Sequence, residues 1–314
     1  MSQILETTSS KSSLIARAID SDIFYSFRRS KLTMAAAFIA LLLIVMALFA
    51  PLLSVQDPFD PRQLELINSR IPPLWTADGQ RPYLFGTDEQ GRDIFSAILY
   101  GMRISLAVGV LGVSFAAVLG IGLGLVAGYV GGAVDSLIMR IADVQLTFPA
   151  ILIALLIDGV AKSVFSNRLD SMGTPLVLVV AIGLSFWVQY ARTVRGSVMV
   201  EKNKDYVAAA QLIGLPARII MMRHVLPNTM GPILVIATIN LALAIITEAT
   251  LSFLGSGMPD TMPSLGTLIR IGNNYLFSGE WWVIAFPGLA LASLILSINL
   301  LGDWLRDALN PKLQ

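Results

Sequence analysis

Residues 205–227 have the residue types and spacing of a docking surface rather than of a catalytic centre. Asp205 is predicted to be the N-cap of a short helix, because its carboxylate can accept hydrogen bonds from the free amides of a first turn. Three small, strong helix formers follow, and they would let a partner approach closely: Ala208, Ala209 and Ala210. Gly214 suits the left-handed position that ends a helix. The pattern predicts a helix over residues 205–215 that couples this chain to a partner.

A second short helix is predicted directly after this glycine. Pro216 fits its first turn, where the missing N–H costs nothing. Arg218, Arg223 and His224 make it basic, and Pro227 closes it before the next apolar run. The alternative for a basic amphipathic loop is that it lies on the membrane surface without a protein partner.

No pattern in the sequence indicates a catalytic, metal or nucleotide site. The only histidine is His224 and cysteine is absent, which rules out a two-histidine zinc motif and thiolate ligands. Neither the phosphate-binding loop Gly-x-x-x-x-Gly-Lys-[Ser/Thr] nor the nucleophile elbow Gly-x-Ser-x-Gly occurs. We therefore expect no enzyme activity and no bound cofactor or metal. The net charge of +1 gives no reason to expect a nucleic-acid partner.

Three polar residues inside apolar runs are candidates for lining a cavity or path within the membrane. Ionisable groups at membrane depth are costly and usually face a cavity or a partner. Glu248 could meet the amino group of a solute, or it could pair with a neighbour such as Arg270. Asp143 could line the path or pair with Arg140, three residues before it. Asn240 is the neutral candidate.

The elements that must position these residues are membrane-spanning helices. Hydrophobic residues make up 55% of the 314 residues and charged residues only 14%, whereas soluble domains carry about 25% charged residues. A helix needs about 20 apolar residues to cross the hydrocarbon core. Six runs are predicted to do so: 32–56, 104–134, 136–157, 171–191, 224–247 and 281–302. The predicted fold class is an all-α integral membrane protein with six transmembrane helices.

The distribution of Lys and Arg among the connectors predicts the orientation. Residues 1–31 and the connector 192–227 are rich in Lys and Arg, which favours a cytoplasmic location for both, and hence for both termini. The predicted order is a cytoplasmic leader (1–31), a first transmembrane helix (32–56), a periplasmic loop (57–102), a five-helix core (103–302) and a cytoplasmic tail (303–314). The loop could be an exposed flap, a contact for a binding protein or a lid.

A stripe of small residues marks one face of the second predicted span. Gly120, Gly124 and Gly128 recur every fourth residue, so another helix can approach closely there. Two partners remain open at this stage. The stripe could pack against a helix of the same chain, or it could form a contact between this chain and a second membrane subunit.

The connector at 205–227 resembles the signature loop of inner-membrane permease subunits of bacterial ABC importers. That signature places Glu-Ala-Ala, Gly and Leu-Pro at fixed spacing. Five residues fall in register: Ala209, Ala210, Gly214, Leu226 and Pro227. Ala208 stands where the signature has its acidic residue, and His224 stands where it has Ile. Residues 85–96, 251–255 and 299–311 also resemble motifs of the dipeptide and oligopeptide branch, in its C-type subunit.

This resemblance implies a type I ABC importer permease fold with a cytoplasmic coupling helix. It implies a second homologous permease, two ATP-binding subunits that hold ATP and Mg²⁺, and a periplasmic solute-binding protein. The chain would be a multi-pass protein of the bacterial inner membrane, in contact with lipid. Its solute would be a peptide; nickel, opines and glutathione are the alternatives. An ion-driven secondary transporter remains the less favoured alternative, because no internal repeat is visible.

Overall fold

The computed structural model describes residues 22–165 and 173–309, and this part of the chain is almost entirely helical. The leader residues 1–21, residues 166–172 and the tail residues 310–314 lie outside it. Seven helices of fifteen residues or more are α2 (Lys31–Leu48), α4 (Ile94–Val130), α5 (Gly132–Leu146), α6 (Ala150–Phe165), α7 (Gly173–Glu201), α10 (Met230–Phe253) and α12 (Trp282–Ala308). Shorter helices are α1 (Asp22–Arg29), α3 (Ala50–Leu53), α8 (Asp205–Leu212), α9 (Ala217–Ile219) and α11 (Leu265–Tyr275).

Five stretches of the described residues are long and apolar enough to cross a membrane as single helices. They are α2, α4, α7, α12 and the run from Ala217 to Phe253 that ends with α10. The third predicted span, 136–157, is instead broken into α5 and α6, whose axes bend by 93°. The break falls at residues 147–149, because Pro149 cannot continue the hydrogen-bond ladder and disfavours helical geometry at Phe148. If this bent pair counts as one span, the structure has the six spans that the sequence predicts.

The helix α4 begins ten residues before the apolar run predicted at 104–134. Asp93 is its N-cap: its Oδ2 accepts hydrogen bonds from the Ser96 amide at 2.8 Å and the Ser96 hydroxyl at 2.6 Å. Its 37 residues span about 55 Å. This exceeds the hydrocarbon thickness of about 30 Å, so part of α4 stands outside it. The first predicted span, 32–56, is divided at Phe49 into α2 and α3.

The glycine stripe packs inside the chain, against α7. A Cβ added to Gly124 would lie 2.6 Å from the Ala191 carbonyl oxygen, and one added to Gly128 would lie 2.8 Å from the Val198 Cβ. Gly120 likewise faces α7, at Tyr190. The surface offered by the stripe is therefore filled by this chain. The expectation that it packs against a second permease is corrected in favour of the intramolecular alternative.

The segment between α3 and α4 is fastened to the helices rather than extended away from them. The Val55 amide donates to the Ser96 hydroxyl at 3.0 Å, and the Trp282 indole donates to the Thr87 carbonyl at 3.1 Å. Arg70 lies 3.4 Å from Glu280, in an ion pair that reaches the segment before α12. These contacts hold the segment across the ends of α4 and α12.

Candidate docking surface

The helix α8 forms where the sequence predicts it, but Asp205 is not its cap. The N-cap is Lys204, whose backbone is extended and whose side chain makes no capping hydrogen bond. Asp205 is the first helical residue. Its carboxylate still lies at the helix N-terminus, where the helix dipole favours a negative charge. The predicted capping role is corrected to this electrostatic one.

The end of α8 is a Schellman motif centred on Gly214. Gly214 has φ of +84°, the left-handed conformation that its position predicts. Its amide donates to the Gln211 carbonyl at 2.9 Å, and the Leu215 amide donates to the Ala210 carbonyl at 3.1 Å. These two bonds satisfy carbonyls that the helix end would otherwise leave free. The turn is therefore defined by backbone geometry, and glycine is the residue that permits it.

The second predicted helix is short and irregular. Pro216 is its N-cap rather than a residue of its first turn, and α9 has only three residues. The chain then continues through a π-helical turn, Ile220–Val225, and a 3-10 turn, Leu226–Thr229, into α10. Arg218 is exposed on α9. The proline thus sets the direction in which the chain leaves the Gly214 turn.

One face of α8 is buried and the other is exposed together with its end. Val207 and Ala210 belong to the main hydrophobic core of the chain. Ala208 and Ala209 are exposed, as the small residues of a docking surface should be. The exposed tip of α8, which was not among the residues predicted from the sequence, places two large apolar side chains in solvent: Leu212, 89% exposed, and Ile213, 78% exposed. Both residues precede the glycine that ends the helix, but that position in the sequence is equally compatible with burial. We call Ala208, Ala209, Leu212 and Ile213 the α8 surface.

A hydrogen-bond network anchors α8 to the end of α7 and to the turn before α10. The Tyr206 hydroxyl donates to Glu201 Oε2 at 2.6 Å, and Lys204 Nζ lies 2.6 Å from Glu201 Oε1. The Asn228 amide donates to the Tyr206 oxygen at 3.2 Å and to the His224 carbonyl at 2.7 Å. Desolvation, and then the hydrogen bond to Glu201, raise the pKa of Tyr206.

Further contacts tie the same end of α7 to α4 and α5. Lys202 Nζ donates to the Gly128 carbonyl at 2.7 Å. Arg195 makes two bonds to Asp135, at 2.5 and 2.7 Å. A bidentate pair of this kind fixes both distance and orientation. These contacts fasten the end of α7, to which α8 is bonded, to α4 and α5.

The structure places two of the three polar candidates inside the packed chain. Glu248 is fully buried, and its carboxylate accepts hydrogen bonds from Ser105 and Ser252, each at 2.7 Å. It does not pair with Arg270, which bonds to Asp260. Asn240 is also fully buried. In this conformation neither side chain lines a surface that a solute could reach, which corrects the expectation of a path-lining role.

The third candidate, Asp143, lies on an exposed part of α5. It pairs with Arg192 of α7 instead of with Arg140. The predicted partner is three residues away on the same helix, but α7 runs alongside α5 and offers a second cation. The pair connects two helices on the same side of the molecule as α8. Its position favours a structural link over a contact with solute.

Comparison with known proteins identifies the family. Residues 120–314 match the family described as "Binding-protein-dependent transport system inner membrane component". Residues 21–73 match the N-terminal transmembrane domain of oligopeptide transport permease C. The chain belongs to this permease family. The predicted family, a multi-pass inner-membrane permease of ABC importers in its dipeptide and oligopeptide branch, is therefore confirmed.

Relatives of this permease match it along most of its length. It is 37% identical over 293 residues to the di/tripeptide transport system permease protein DppC of Pseudomonas aeruginosa, covering 93% of this chain and 92% of the relative. It is 39% identical to the dipeptide permease DppC of Bacillus subtilis, covering 93% and 86%. It is 36% identical to OppC, the oligopeptide permease of the same species, covering 93% and 90%.

A solved structure confirms the fold class. An inward-facing structure of the MetNI methionine ABC transporter contains a chain that superimposes with a TM-score of 0.53. The match covers 68% of this permease and 96% of that chain, at 18% sequence identity. At this identity the likeness concerns the fold alone. It assigns the bundle to the type I importer permease architecture that the sequence predicts.

Proposed function

We propose that this permease is one of two homologous membrane subunits of an ABC importer and that its α8 surface docks on an ATP-binding subunit. The observation that carries the proposal is the exposure of Leu212 and Ile213 at the end of a helix that is otherwise anchored in the core. Exposed apolar side chains on a rigid support are the usual centre of a protein interface. The residues proposed to couple to the ATPase are Asp205, Ala208, Ala209, Gly214, Pro216 and Arg218, whereas Ala210, predicted with them, is buried and holds α8 on the core instead.

The proposed mechanism is rigid-body alternating access. Two ATP-binding subunits hold ATP and Mg²⁺, and closure of their dimer moves the α8 surface of each permease. Because α8 is bonded through Tyr206 to Glu201 of α7 and to Asn228 in the turn before α10, that motion reaches the spans as a tilt. The pair of permeases then exchanges an inward-open cavity for an outward-open one. With α8 docked on the ATP-binding subunits, α8 and both chain termini lie on the cytoplasmic side of the membrane.

The proposed solute is a peptide delivered by a periplasmic binding protein. The support is the name of the relatives, which are dipeptide, tripeptide and oligopeptide permeases. Nickel, opines and glutathione stay as alternative outcomes. Purifying the cognate binding protein and identifying its bound ligand by mass spectrometry separates them, because the binding protein selects the solute before the permease meets it.

Co-purification tests the docking role. The full-length permease is co-expressed with its affinity-tagged ATP-binding subunits, and the amount recovered on the tag is measured. The double substitution Leu212→Ser with Ile213→Ser should reduce recovery strongly, since it removes the apolar centre of the contact. The matched control is Leu66→Ser with Ile67→Ser, two apolar residues that are 73% and 89% exposed in the segment between α3 and α4.

Recovery that is unchanged in the first double variant would contradict docking through the α8 surface. Equal losses in both double variants would contradict it too, because the effect would then come from removing exposed apolar area anywhere. A permease that never copurifies with ATP-binding subunits, although it transports solute in vesicles, would refute the ABC assignment of function itself.

A further inference from the structure

An apolar groove with one charged residue lies between helices of the bundle and shares no residue with the α8 surface. It is formed by α2, α4, α10 and α12 and has a volume of about 640 Å³. Its lining is apolar apart from Arg103 and Thr238. The volume falls within the range of about 300–1,000 Å³ typical of small-molecule sites. All four helices that form the groove belong to candidate membrane spans.

Arg103 occupies this groove without a partner in the described residues. Its side chain is exposed, and it makes no hydrogen bond or ion pair with residues 22–165 or 173–309. On α4 it shares one face with Ala107, Val110 and Leu111, at the spacing of a stripe that faces a single environment. The Arg103 guanidinium and these apolar side chains therefore face the same environment.

The level of Arg103 in the bundle can be read from its neighbours. The helices α2 and α4 run antiparallel here. Val55, which follows α2 in the chain, bonds to Ser96 near the start of α4, whereas the earlier residue Leu48 lines the same groove as Arg103, further along α4. Beyond Leu48 the chain still exposes apolar side chains, including Leu52 at 79%. The apolar surface of the chain therefore extends past the level of Arg103. An unpaired guanidinium at such a level costs a few kcal/mol unless an anion meets it or its stem reaches the headgroups.

We propose that the groove binds a diacyl phospholipid, with the lipid phosphate on the Arg103 guanidinium and one acyl chain along the apolar floor. The planar guanidinium matches a phosphate in a two-point contact. The floor offers Leu106, Val110 and Leu241 to the acyl chain. A helix of a second membrane subunit is the rival occupant. It is disfavoured because it would have to bring its own buried anion to Arg103, whereas every phospholipid carries one.

The test is a lipid titration followed by native mass spectrometry of the full-length permease in detergent. The probes are dioleoylphosphatidylglycerol, dioleoylglycerol with the same acyl chains but no phosphate, and inorganic phosphate. The wild-type chain should bind the phospholipid about tenfold more tightly than dioleoylglycerol, since one charge-assisted contact distinguishes them. Inorganic phosphate should not bind, because it lacks the acyl chain.

Two variants separate the charge from the shape of the groove. Arg103→Gln should weaken phospholipid binding about tenfold and make it equal to that of dioleoylglycerol. Ala107→Phe should weaken both lipids, because its ring fills the groove at an exposed position of α4. Arg62→Gln, which removes an exposed arginine from the segment between α3 and α4, should leave both affinities unchanged.

The proposal is overturned if Arg103→Gln binds the phospholipid within twofold of the wild type, or if Ala107→Phe does. It is equally overturned if Arg62→Gln weakens binding as much as Arg103→Gln does, since the effect would then be general electrostatics. A photoreactive residue at Val110, which is 47% exposed in the groove, distinguishes the rival occupant in native membranes. Cross-linking to lipid supports the proposal, and cross-linking to another polypeptide overturns it.

Discussion

Replacing Gly214 with valine should uncouple ATP hydrolysis from transport while leaving the permease in the membrane. Gly214 has φ of +84°, and a Cβ added there would meet no atom within 4 Å. The whole penalty is therefore backbone strain, on the order of 2 kcal/mol for a β-branched residue. That energy corresponds to a factor of about 30 in the population of the native turn. The helix end should unwind and move Leu212 and Ile213, whose positions the turn defines.

The assay is solute transported per ATP hydrolysed in proteoliposomes that contain the complete assembly. Gly214→Ala should lower this ratio less than valine does, because a single methyl carries a smaller penalty at positive φ. The matched control is Gly231→Val, at a helical glycine in α10 that also has no atom within 4 Å of an added Cβ and lacks positive φ. A wild-type ratio in Gly214→Val, with Gly231→Val also unchanged, would refute the reasoning.

Three further substitutions test contacts within the chain. Gly124→Ala should lower the unfolding temperature in detergent, at a cost of about 1–3 kcal/mol, since its Cβ would lie 2.6 Å from a carbonyl of α7, whereas Gly122→Ala, which meets nothing within 4 Å, should be neutral. Glu248→Ala should lower the free energy of unfolding by about 3 kcal/mol, because it leaves two buried serine hydroxyls without an acceptor and creates a cavity. An unchanged unfolding temperature, together with selective loss of transport of free-amine solutes, would instead support a role for Glu248 in the translocation path. Tyr206→Phe should reduce transport per ATP partially, by loss of a bond worth about 1 kcal/mol, and an unaltered ratio would remove its network from the coupling mechanism.

Local backbone chemistry allowed α8 and its end to be predicted from the sequence. The alanines favour a helix, and Gly214 permits the left-handed turn regardless of what surrounds it. The exposure of Leu212 and Ile213 was not readable in the same way, because it depends on how α8 packs against α7 and the turn before α10. Apolar residues beside a helix end are equally compatible with burial.

Hydropathy predicted the number of spans. It did not predict the break in the span at 136–157 or the environment of the polar residues inside the spans. Pro149 signals the break, yet an averaged apolar window passes over a single residue. Glu248 has the sequence context of a path-lining carboxylate. Its burial follows instead from Ser105, which is distant in sequence and reaches it only through the packing of α4 on α10. Spacing of the glycines likewise predicted a close helix approach without saying which helix supplies it.

Cysteine cross-linking from the tip of α8 tests the central claim most directly. The chain contains no cysteine, so Ile213→Cys introduces a unique thiol at a side chain that is 78% exposed. In a reconstituted assembly that transports solute, a short bifunctional reagent should join this residue to an ATP-binding subunit, and Ile67→Cys should give no such product. An assembly that transports solute at the wild-type rate while Ile213→Cys yields no product with either ATP-binding subunit would contradict the account.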